Sequence, residues 1–328
     1  MSVLQIRDLE VRFATEDGWV VVLDSVSLDV PAGTTLGLVG ESGSGKTVTG
    51  LAVLGLLPAR GCRITAGSIR LDGTELLGLS TRAMSRVRGN DVAMIFQEPM
   101  TSLNPAFTVG DQIAETVRRH QGLSRRRAHQ RAVAALDRVG IPDAARRARS
   151  YPHEFSGGMR QRVMIAMAVC CGPRLLIADE PTTALDVTIQ AQTLDLLREM
   201  RDELDMAMVF ITHDLGVVAE ICDQVAVMYA GQVVGGDEVH RLFRSPPHPY
   251  AEGLLAAMPQ AGDPAAELAT IPGRAPAPGR APDGCRFRTR CPYAAPVCAD
   301  DPLPLRTVDP ARSTRCVRLD ELPLRGPR

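Results

Sequence analysis

Lysine is almost absent from this chain of 328 residues, in which 36 of the 37 lysines and arginines are arginine. Aromatic residues are also scarce, at 4%, and the net charge of −1 gives no overall field that would draw the chain to nucleic acid or to a membrane surface. No run of about 18 apolar residues occurs, so the sequence predicts no membrane-spanning helix. The first residues lack the features of a secretory signal, and we therefore expect a cytosolic protein in which disulfides are disfavoured.

The one lysine, Lys46, stands in the run GESGSGKT at residues 40–47. This run has the spacing of a phosphate-binding P-loop, between a predicted strand at 34–39 and a predicted helix at 47–57. An ammonium on a flexible stem fits inside such a loop, whereas the wide guanidinium fork of arginine does not. Backbone N–H groups and the start of the helix bind the phosphates, and the threonine hydroxyl is offered to Mg²⁺. The residues predicted to hold a nucleoside triphosphate are Gly40, Ser42, Gly43, Ser44, Gly45, Lys46 and Thr47.

A second stretch supplies the carboxylates that a P-loop enzyme needs. In LLIADE, at residues 175–180, four apolar residues predict a buried strand with Asp179 at its end. We predict that Asp179 binds Mg²⁺ and that Glu180 polarises the attacking water, because phosphoryl transfer depends on a positioned nucleophile. A charged helix cap is the alternative for this pair, and the P-loop upstream favours the catalytic interpretation.

The run FSGG at residues 155–158 indicates a second anion site. Ser156 has the chemistry of a helix N-cap, and the two glycines allow close approach to the backbone N–H groups at the start of the helix. Such a helix end binds anions. Because the P-loop already accounts for one triphosphate, we expect Ser156, Gly157 and Gly158 to close on a nucleotide that another subunit holds.

The remaining patterns indicate an α/β chain. β-branched segments predict strands within the first forty residues. Later apolar segments predict buried strands at 92–96, 175–178, 208–212 and 225–228. These alternate with helices, which implies a mainly parallel, covered sheet. Residues 108–150 have helical periodicity and predict a helical insert, and residues 259–282, rich in Pro, Gly and Ala, are typical of a linker.

The signature run FSGGMRQ, at residues 155–161, makes the chain resemble the ATPase subunits of ABC transporters. In that family the signature faces ATP across a head-to-tail dimer, and the resemblance adds Gln161 to the nucleotide-binding set. Met159 departs from the many families that have glutamine there, but the backbone contact does not need that side chain. The resemblance covers residues 3–235 and implies a P-loop ABC-type nucleotide-binding domain with an antiparallel β subdomain and a helical subdomain.

Four further positions match the ATP-handling motifs of the family. Gln97 matches the Q-loop glutamine, which touches Mg²⁺ and senses the permease. Asp186, in the run ALD at 184–186, matches the D-loop. His213 matches the switch histidine that contacts the γ-phosphate. Phe13 matches the aromatic residue that stacks on adenine, with Trp19 as the second candidate.

The C-terminal part narrows the resemblance to the oligopeptide, dipeptide and nickel importers among ABC transporters. The run at residues 155–167 looks like that branch, and so does PHPY at 247–250, which begins the C-terminal extension of the branch. We therefore expect an ATPase domain over residues 1–258, with a helical subdomain at about 98–155. A linker and a small cysteine-containing extension are expected over 259–328.

Four of the eight cysteines cluster in this extension, at Cys285, Cys291, Cys298 and Cys316. Free thiols, a zinc site and an iron–sulfur site are the alternatives. Zinc sites usually bring their ligands as close C-x₂₋₄-C pairs, which this spacing lacks, whereas four thiolates can hold a [4Fe–4S] cluster. The resemblance implies the same cluster, because the importer branch carries one in its C-terminal domain. The neighbouring cations expected to offset its negative charge are Arg286, Arg288 and Arg290.

The sequence as a whole predicts the ATP-hydrolysing subunit of an importer of peptides or related small solutes, at the cytoplasmic face of the cell membrane. The resemblance implies ATP, Mg²⁺ and the cluster as cofactors. Implied partners are a second ATPase subunit (a paralogue rather than a copy), two membrane permeases and, indirectly, an extracytoplasmic solute-binding protein, with no nucleic acid. A nucleic-acid ABC ATPase of repair or translation is one alternative, but the long coiled coil or second cassette of those proteins is missing. An exporter subunit and a silent binding module are the others, which the extension and the intact motifs disfavour.

Overall fold

A computed structural model of the protein describes residues 2–97, 103–183, 185–258 and 270–326. The chain divides into two compact units. Unit 1 comprises Met1–Val3, Val30–Gly33 and Gly78–Phe210, and unit 2 comprises Leu4–Asp29, Thr34–Leu77 and Ile211–Arg328. Among the residues described, no helix is both long enough and apolar enough to cross a membrane.

The strands and helices that the sequence predicts are present close to their predicted positions, and the structure contains further ones. The strands found in the described residues are β1 (Ser2–Thr15), β2 (Gly18–Pro31), β3 (Thr35–Val39), β4 (Cys62–Leu71), β5 (Thr74–Glu75), β6 (Val92–Ile95), β7 (Leu175–Asp179), β8 (Ala207–Thr212), β9 (Gln224–Tyr229), β10 (Gln232–Glu238), β11 (Arg306–Asp309) and β12 (Arg312–Thr314). The α-helices in the same described residues are Lys46–Val53, Thr81–Val87, Val109–Gln121, Arg125–Arg138, Ala144–Arg147, Gly157–Val169, Val187–Leu204, Leu215–Ile221, Val239–Arg244 and Pro249–Ala256. The first of these is shorter than the predicted 47–57, because Gly55 adopts a left-handed φ of 58° and ends the helix.

Unit 1 is mainly helical. Its strands run in the order β8–β7–β6, and β6 and β7 pair in parallel with Val92 opposite Leu175. Helix Gly157–Val169 packs on helices Val109–Gln121 and Arg125–Arg138. The buried side chains include Ile113, Val117, Leu136 and Val163, and each such side chain contributes roughly 1.5–3 kcal/mol when it leaves water. The helical insert predicted for 108–150 is confirmed, while the start of the predicted subdomain, near residue 98, lies outside the described residues.

Unit 2 holds most of a four-stranded sheet, in the order β2–β1–β4–β5, in which β1–β4 and β4–β5 are antiparallel. It also holds the strand series β11–β12–β10–β9–β3. In this series β3 and β9 are parallel, as predicted, but the pairs from β9 to β11 are antiparallel. The connection between β9 and β10 is Ala230-Gly231, both with positive φ, and such a two-residue turn can join only antiparallel strands.

The C-terminal extension is built into unit 2. Strand β12 pairs with β10, with Thr314 opposite Gly235, and the Thr314 hydroxyl donates to the carbonyl of Pro247 at 2.6 Å. The sequence did not predict β10, β11 or β12. In the predicted linker at 259–282, residues 259–269 lie outside the described part of the chain, and residues 270–282 form no helix or strand.

Candidate functional site

The P-loop follows β3, and two of its glycines pack tightly against other parts of unit 2. Gly40 has a φ of 150°, and a Cβ there would lie 2.1 Å from the carbonyl oxygen of Met228. Gly45 has a φ of 106°, and a Cβ there would lie 2.5 Å from a methyl carbon of Leu23. Only glycine permits this path. Gly45 is also the N-cap of helix Lys46–Val53 and gives the helix no side-chain cap, which suits an anion-binding helix start.

Lys46 and Ser44 present their polar atoms inside this loop. Lys46 is 7% exposed, and its Nζ donates to the carbonyls of Gly40 at 2.7 Å and Glu41 at 3.1 Å. The Ser44 Oγ is buried and has no hydrogen-bond partner among the described residues. A buried hydroxyl in that state costs about 1–3 kcal/mol unless a ligand satisfies it. Phosphate oxygens would accept hydrogen bonds from both side chains, so the loop fits the triphosphate that the sequence predicts.

The two aromatic candidates for adenine differ in their surroundings. Phe13 lies half-buried on β1, opposite Cys62 on β4. Trp19 is 42% exposed, and the guanidinium carbon of Arg63 lies 3.5 Å from the centre of its ring. This cation–π contact already covers one face of Trp19 and favours Phe13 as the adenine contact.

Gln97 and Glu180 come together in unit 1. Asp179 is the buried last residue of β7, as predicted, and Glu180 follows with a φ of 47°. The Glu180 carboxylate accepts from Gln97 Nε2 at 3.0 Å and from the Thr183 hydroxyl at 2.9 Å. A non-glycine residue in the left-handed region costs about 1–3 kcal/mol and is concentrated at functional sites. The backbone therefore holds this carboxylate in one orientation at a cost in stability.

The signature residues line a pocket in unit 1 of about 600 Å³. Ser156 is the N-cap of helix Gly157–Val169, as predicted, and its Oγ accepts from the Met159 N–H at 3.4 Å. A Cβ on Gly157 would meet open space, whereas one on Gly158 would lie 3.0 Å from Ile189, so Gly158 is needed for helix packing. The residues around the pocket are Gly140, Ser156, Gly157, Gly158, Met159, Arg162, Leu185, Asp186, Ile189 and Gln192.

Of the other residues predicted to contact the nucleotide, Asp186 lines this pocket, whereas Gln161 and His213 do not. Asp186 lines the pocket and caps helix Val187–Leu204 through a bond from the Ile189 N–H at 2.9 Å, while Ala184 of the same motif lies outside the described residues. Gln161 does not line the pocket. It is fully buried, and its Nε2 donates to the carbonyl of Pro181 at 2.6 Å. His213 is exposed at the end of β8, in unit 2.

The four cysteines of the extension line one small cavity in unit 2, together with Arg288 and Arg318. The described residues contain no group of three or more His, Cys, Asp or Glu side chains that is arranged to hold a metal ion. The cavity has a volume of about 20 Å³, which is room for about one water. It must widen to admit four irons and four sulfides. The residue types fit a soft metal site, and the [4Fe–4S] cluster stays a prediction.

Charges around this cavity differ from the sequence prediction. Arg286 forms an ion pair with Asp24, and Arg290 forms one with Glu41, so neither is left to offset a cluster. The cations that line the cavity are Arg288, as expected, and Arg315 and Arg318, which the sequence did not single out.

Three of the thiols, those of Cys285, Cys291 and Cys316, are held in the protonated form. Burial raises the pKa of Cys285 and Cys291, and it raises the pKa of Cys316 to about 11. The neighbouring thiols shift each of these pKa values in the same direction. A metal must therefore displace protons when it binds here.

Comparison with known proteins identifies two segments. Residues 23–183 match the family described as ABC transporter, and residues 237–298 match the oligopeptide/dipeptide transporter C-terminal region. A peptide import ATP-binding protein of Brucella melitensis is 51% identical over 331 residues, which cover 98% of each chain. A protein of the same name from Brucella abortus is 50% identical over 313 residues, covering 95% of this chain and 94% of that protein.

Solved structures show the same fold. The ATP-binding cassette MJ0796, bound to ADP and Pi as a dimer, is 25% identical with a TM-score of 0.63, covering 72% of this chain and 98% of that one. The protein cbiO1 from Clostridium perfringens, part of the cbiONQ transporter complex, is 26% identical with a TM-score of 0.63, covering 74% and 90%. The chain therefore belongs to the ATP-binding subunits of ABC transporters, which are ATPases, in the branch that carries the oligopeptide/dipeptide transporter C-terminal region.

Proposed function

We propose that this ATPase powers the import of peptides through partner permeases, as a peripheral subunit at the cytoplasmic face of the membrane. The P-loop carries the proposal, because the buried ammonium of Lys46 and the unpartnered hydroxyl of Ser44 suit a triphosphate. Peptide import is supported by the name of the relatives that are 51% identical over nearly the whole chain. That support also disfavours the nucleic-acid and exporter alternatives.

The predicted site residues other than Gln161, which is buried away from the pocket, have roles in this proposal. Lys46 and the loop amides neutralise the phosphates, and Phe13 stacks on adenine. Mg²⁺, when bound with ATP, draws charge from the phosphate oxygens, and its proposed ligands are Thr47, Gln97 and Asp179. Water attacks the γ-phosphorus, the bond to the β,γ-bridging oxygen breaks, and ADP leaves with phosphate. Glu180 orients that water by accepting its hydrogen bond, and His213 contacts the γ-phosphate.

The signature pocket is proposed to act on the nucleotide of a second ATPase subunit. Open space at Gly157 leaves the helix start accessible to a phosphate, and Ser156 supplies a hydroxyl at the same place. Asp186 lies at the rim of this pocket. The second subunit is proposed to be a paralogue. The proposed membrane partners are two permeases, which receive their solute from a solute-binding protein.

Uptake of labelled peptides by whole cells tests the function. A strain that lacks the chain is expected to lose ATP-dependent uptake of di- or oligopeptides, and the wild-type chain is expected to restore it. Glu180→Gln should fail to restore uptake, whereas Glu199→Gln, an exposed change in the same unit, should succeed. Undiminished peptide uptake in the deletion strain, with the uptake of another solute lost, would contradict peptide import.

We also propose that the four thiols of the extension hold a [4Fe–4S] cluster. Protein purified without oxygen should contain about four irons per chain and absorb broadly in the visible range. Cys298→Ser should lose iron and colour, while Cys62→Ser, outside the cavity, should keep both. A colourless, iron-free preparation with full ATPase activity would rule the cluster out.

A further inference from the structure

Glu41, the second residue of the P-loop, is fixed at its main chain and at its side chain. Its N–H donates to the hydroxyl oxygen of Tyr250 at 2.8 Å. Its carbonyl accepts from Lys46 Nζ at 3.1 Å and from the Ser44 N–H at 3.2 Å. Its carboxylate accepts two parallel bonds from Arg290, at 2.9 and 3.0 Å. Two of the residues that hold it, Tyr250 and Arg290, belong to the C-terminal part of unit 2 and stand outside every nucleotide-binding motif in the sequence.

Arg290 uses all of its guanidinium hydrogen-bond donors within the protein. It is 8% exposed, and each of its five N–H groups can be assigned an acceptor. Two bonds go to Glu41 and one to the Tyr229 hydroxyl, while the carbonyls of Pro272 and Ile271 accept the others. A bidentate arginine–carboxylate pair fixes direction as well as distance, and lysine cannot reproduce it.

Tyr250 is held equally firmly. It is fully buried and stands in the His-Pro-Tyr run of the extension. Its ring packs on Tyr229, with centres 4.6 Å apart, and on Phe287, with centres 5.3 Å apart. The Tyr250 N–H donates to Nδ1 of His248 at 3.1 Å, and burial lowers the pKa of His248 to about 3, which keeps this nitrogen available as an acceptor. The hydroxyl that reaches Glu41 therefore rests on a rigid support.

We propose that Tyr250 and Arg290 are positioning residues, through which the C-terminal extension holds the P-loop in the conformation that binds a triphosphate. The inference rests on the proposed function, because it acts on the proposed ATP site. A preformed loop binds its ligand more tightly, since less ordering remains to be done on binding. Arg290 directly precedes Cys291, and Phe287 lies two residues after Cys285. A ligand that orders Cys285 and Cys291 would therefore also order residues 285–291, the segment that contacts Tyr250 and the P-loop residue Glu41.

Two conservative variants of the full chain test the proposal. Tyr250→Phe removes one oxygen and keeps the ring, and Arg290→Lys keeps the charge and removes the fork. Both should weaken the binding of a non-hydrolysable ATP analogue with Mg²⁺ by about tenfold, measured by calorimetry, because each leaves groups of Glu41 without their partner. Arg312→Lys is the matched control. The Arg312 side chain is 11% exposed, lies outside the cysteine cavity, and donates to Asp237 and to the carbonyl of Pro246 instead of the loop.

A double-mutant cycle separates positioning from general stability. If Arg290 had only a structural role, Arg290→Lys and the control Arg312→Lys would both lower the melting temperature, and neither would change the dissociation constant of the ATP analogue. Positioning predicts that Arg290→Lys weakens binding in the wild-type background and changes it less than about twofold in a Glu41→Gln background. Glu41→Gln alters the Glu41–Arg290 pair from the P-loop side only. This variant can therefore still test the role of the pair if Tyr250→Phe and Arg290→Lys do not fold.

The outcomes are distinct. Wild-type affinity in folded Tyr250→Phe and Arg290→Lys, or in Glu41→Gln if the former do not fold, would overturn the positioning role and leave the proposed function intact. A wild-type chain that does not bind the analogue at all would instead contradict the proposed function itself.

Discussion

Lys46→Ala is expected to lower ATP hydrolysis by about a thousandfold and to weaken ATP binding. The Lys46 ammonium is buried inside the loop and is held by two carbonyls of the loop, so its charge is directed at the place where the phosphates would lie. Removal of one such preorganised donor typically costs about 10²–10³ in turnover. No second lysine exists in the chain to replace it, so we expect the loss to lie at the upper end of that range.

Turnover and chemical labelling both measure this effect. The lysine side chain is unique, so an amine-reactive reagent has only Lys46 and the N-terminus as primary-amine targets, and ATP should protect Lys46 from modification as read by mass spectrometry. Lys46→Arg is the sharper variant, because it keeps the charge in a chain that otherwise uses arginine. We expect it to fail as well, since the guanidinium fork does not fit the loop. Appreciable hydrolysis by folded Lys46→Ala, or equal labelling with and without ATP, would refute the role of this residue.

The features that the sequence could predict are those formed by residues close together in the chain. The P-loop, the strand that ends at Asp179 and the N-cap at Ser156 each depend on residues that are a few positions apart. Their local geometry, such as the side-chain cap that Ser156 gives to the Met159 N–H, is determined by neighbours in the chain. For that reason the predicted positions agree with the structure to within a few residues.

Long-range pairs account for what the sequence could not predict. Arg290 and Glu41 are 249 residues apart, and Tyr250 and Glu41 are 209 residues apart. Arg286 finds its partner, Asp24, across 262 residues. Nothing in the local sequence distinguishes Arg286 and Arg290 from Arg288. Their charge alone therefore predicted that all three would offset the negative charge of a cluster. The His-Pro-Tyr run was visible, but as a mark of the family and not as a support for the P-loop.

Glu180→Gln is expected to lower the turnover of ATP by about a thousandfold while ATP binding is retained. The variant keeps the size of the side chain and the acceptor oxygen that Gln97 Nε2 and the Thr183 hydroxyl use, so the local hydrogen bonds can persist. It removes the carboxylate that is proposed to orient the attacking water, and a group in that role typically contributes about 10²–10⁴ in rate. The left-handed backbone conformation at Glu180 does not depend on the charge of the side chain, so glutamine can adopt it as well. Binding and hydrolysis should therefore separate in this variant, as they do not in Lys46→Ala.

Retained binding without hydrolysis should also trap the closed pair of ATPase subunits. With ATP and Mg²⁺, Glu180→Gln should elute as a dimer in size-exclusion chromatography, either alone or mixed with the proposed paralogous ATPase carrying the equivalent change. Glu199→Gln, an exposed change in the same unit, should hydrolyse ATP normally and should not accumulate as a dimer. Such a dimer would support the proposed role of the signature pocket, in which the open helix start at Gly157 binds a phosphate held by another chain. A Glu180→Gln chain that binds ATP and stays monomeric in both preparations would contradict the head-to-tail arrangement and leave that pocket without its proposed ligand.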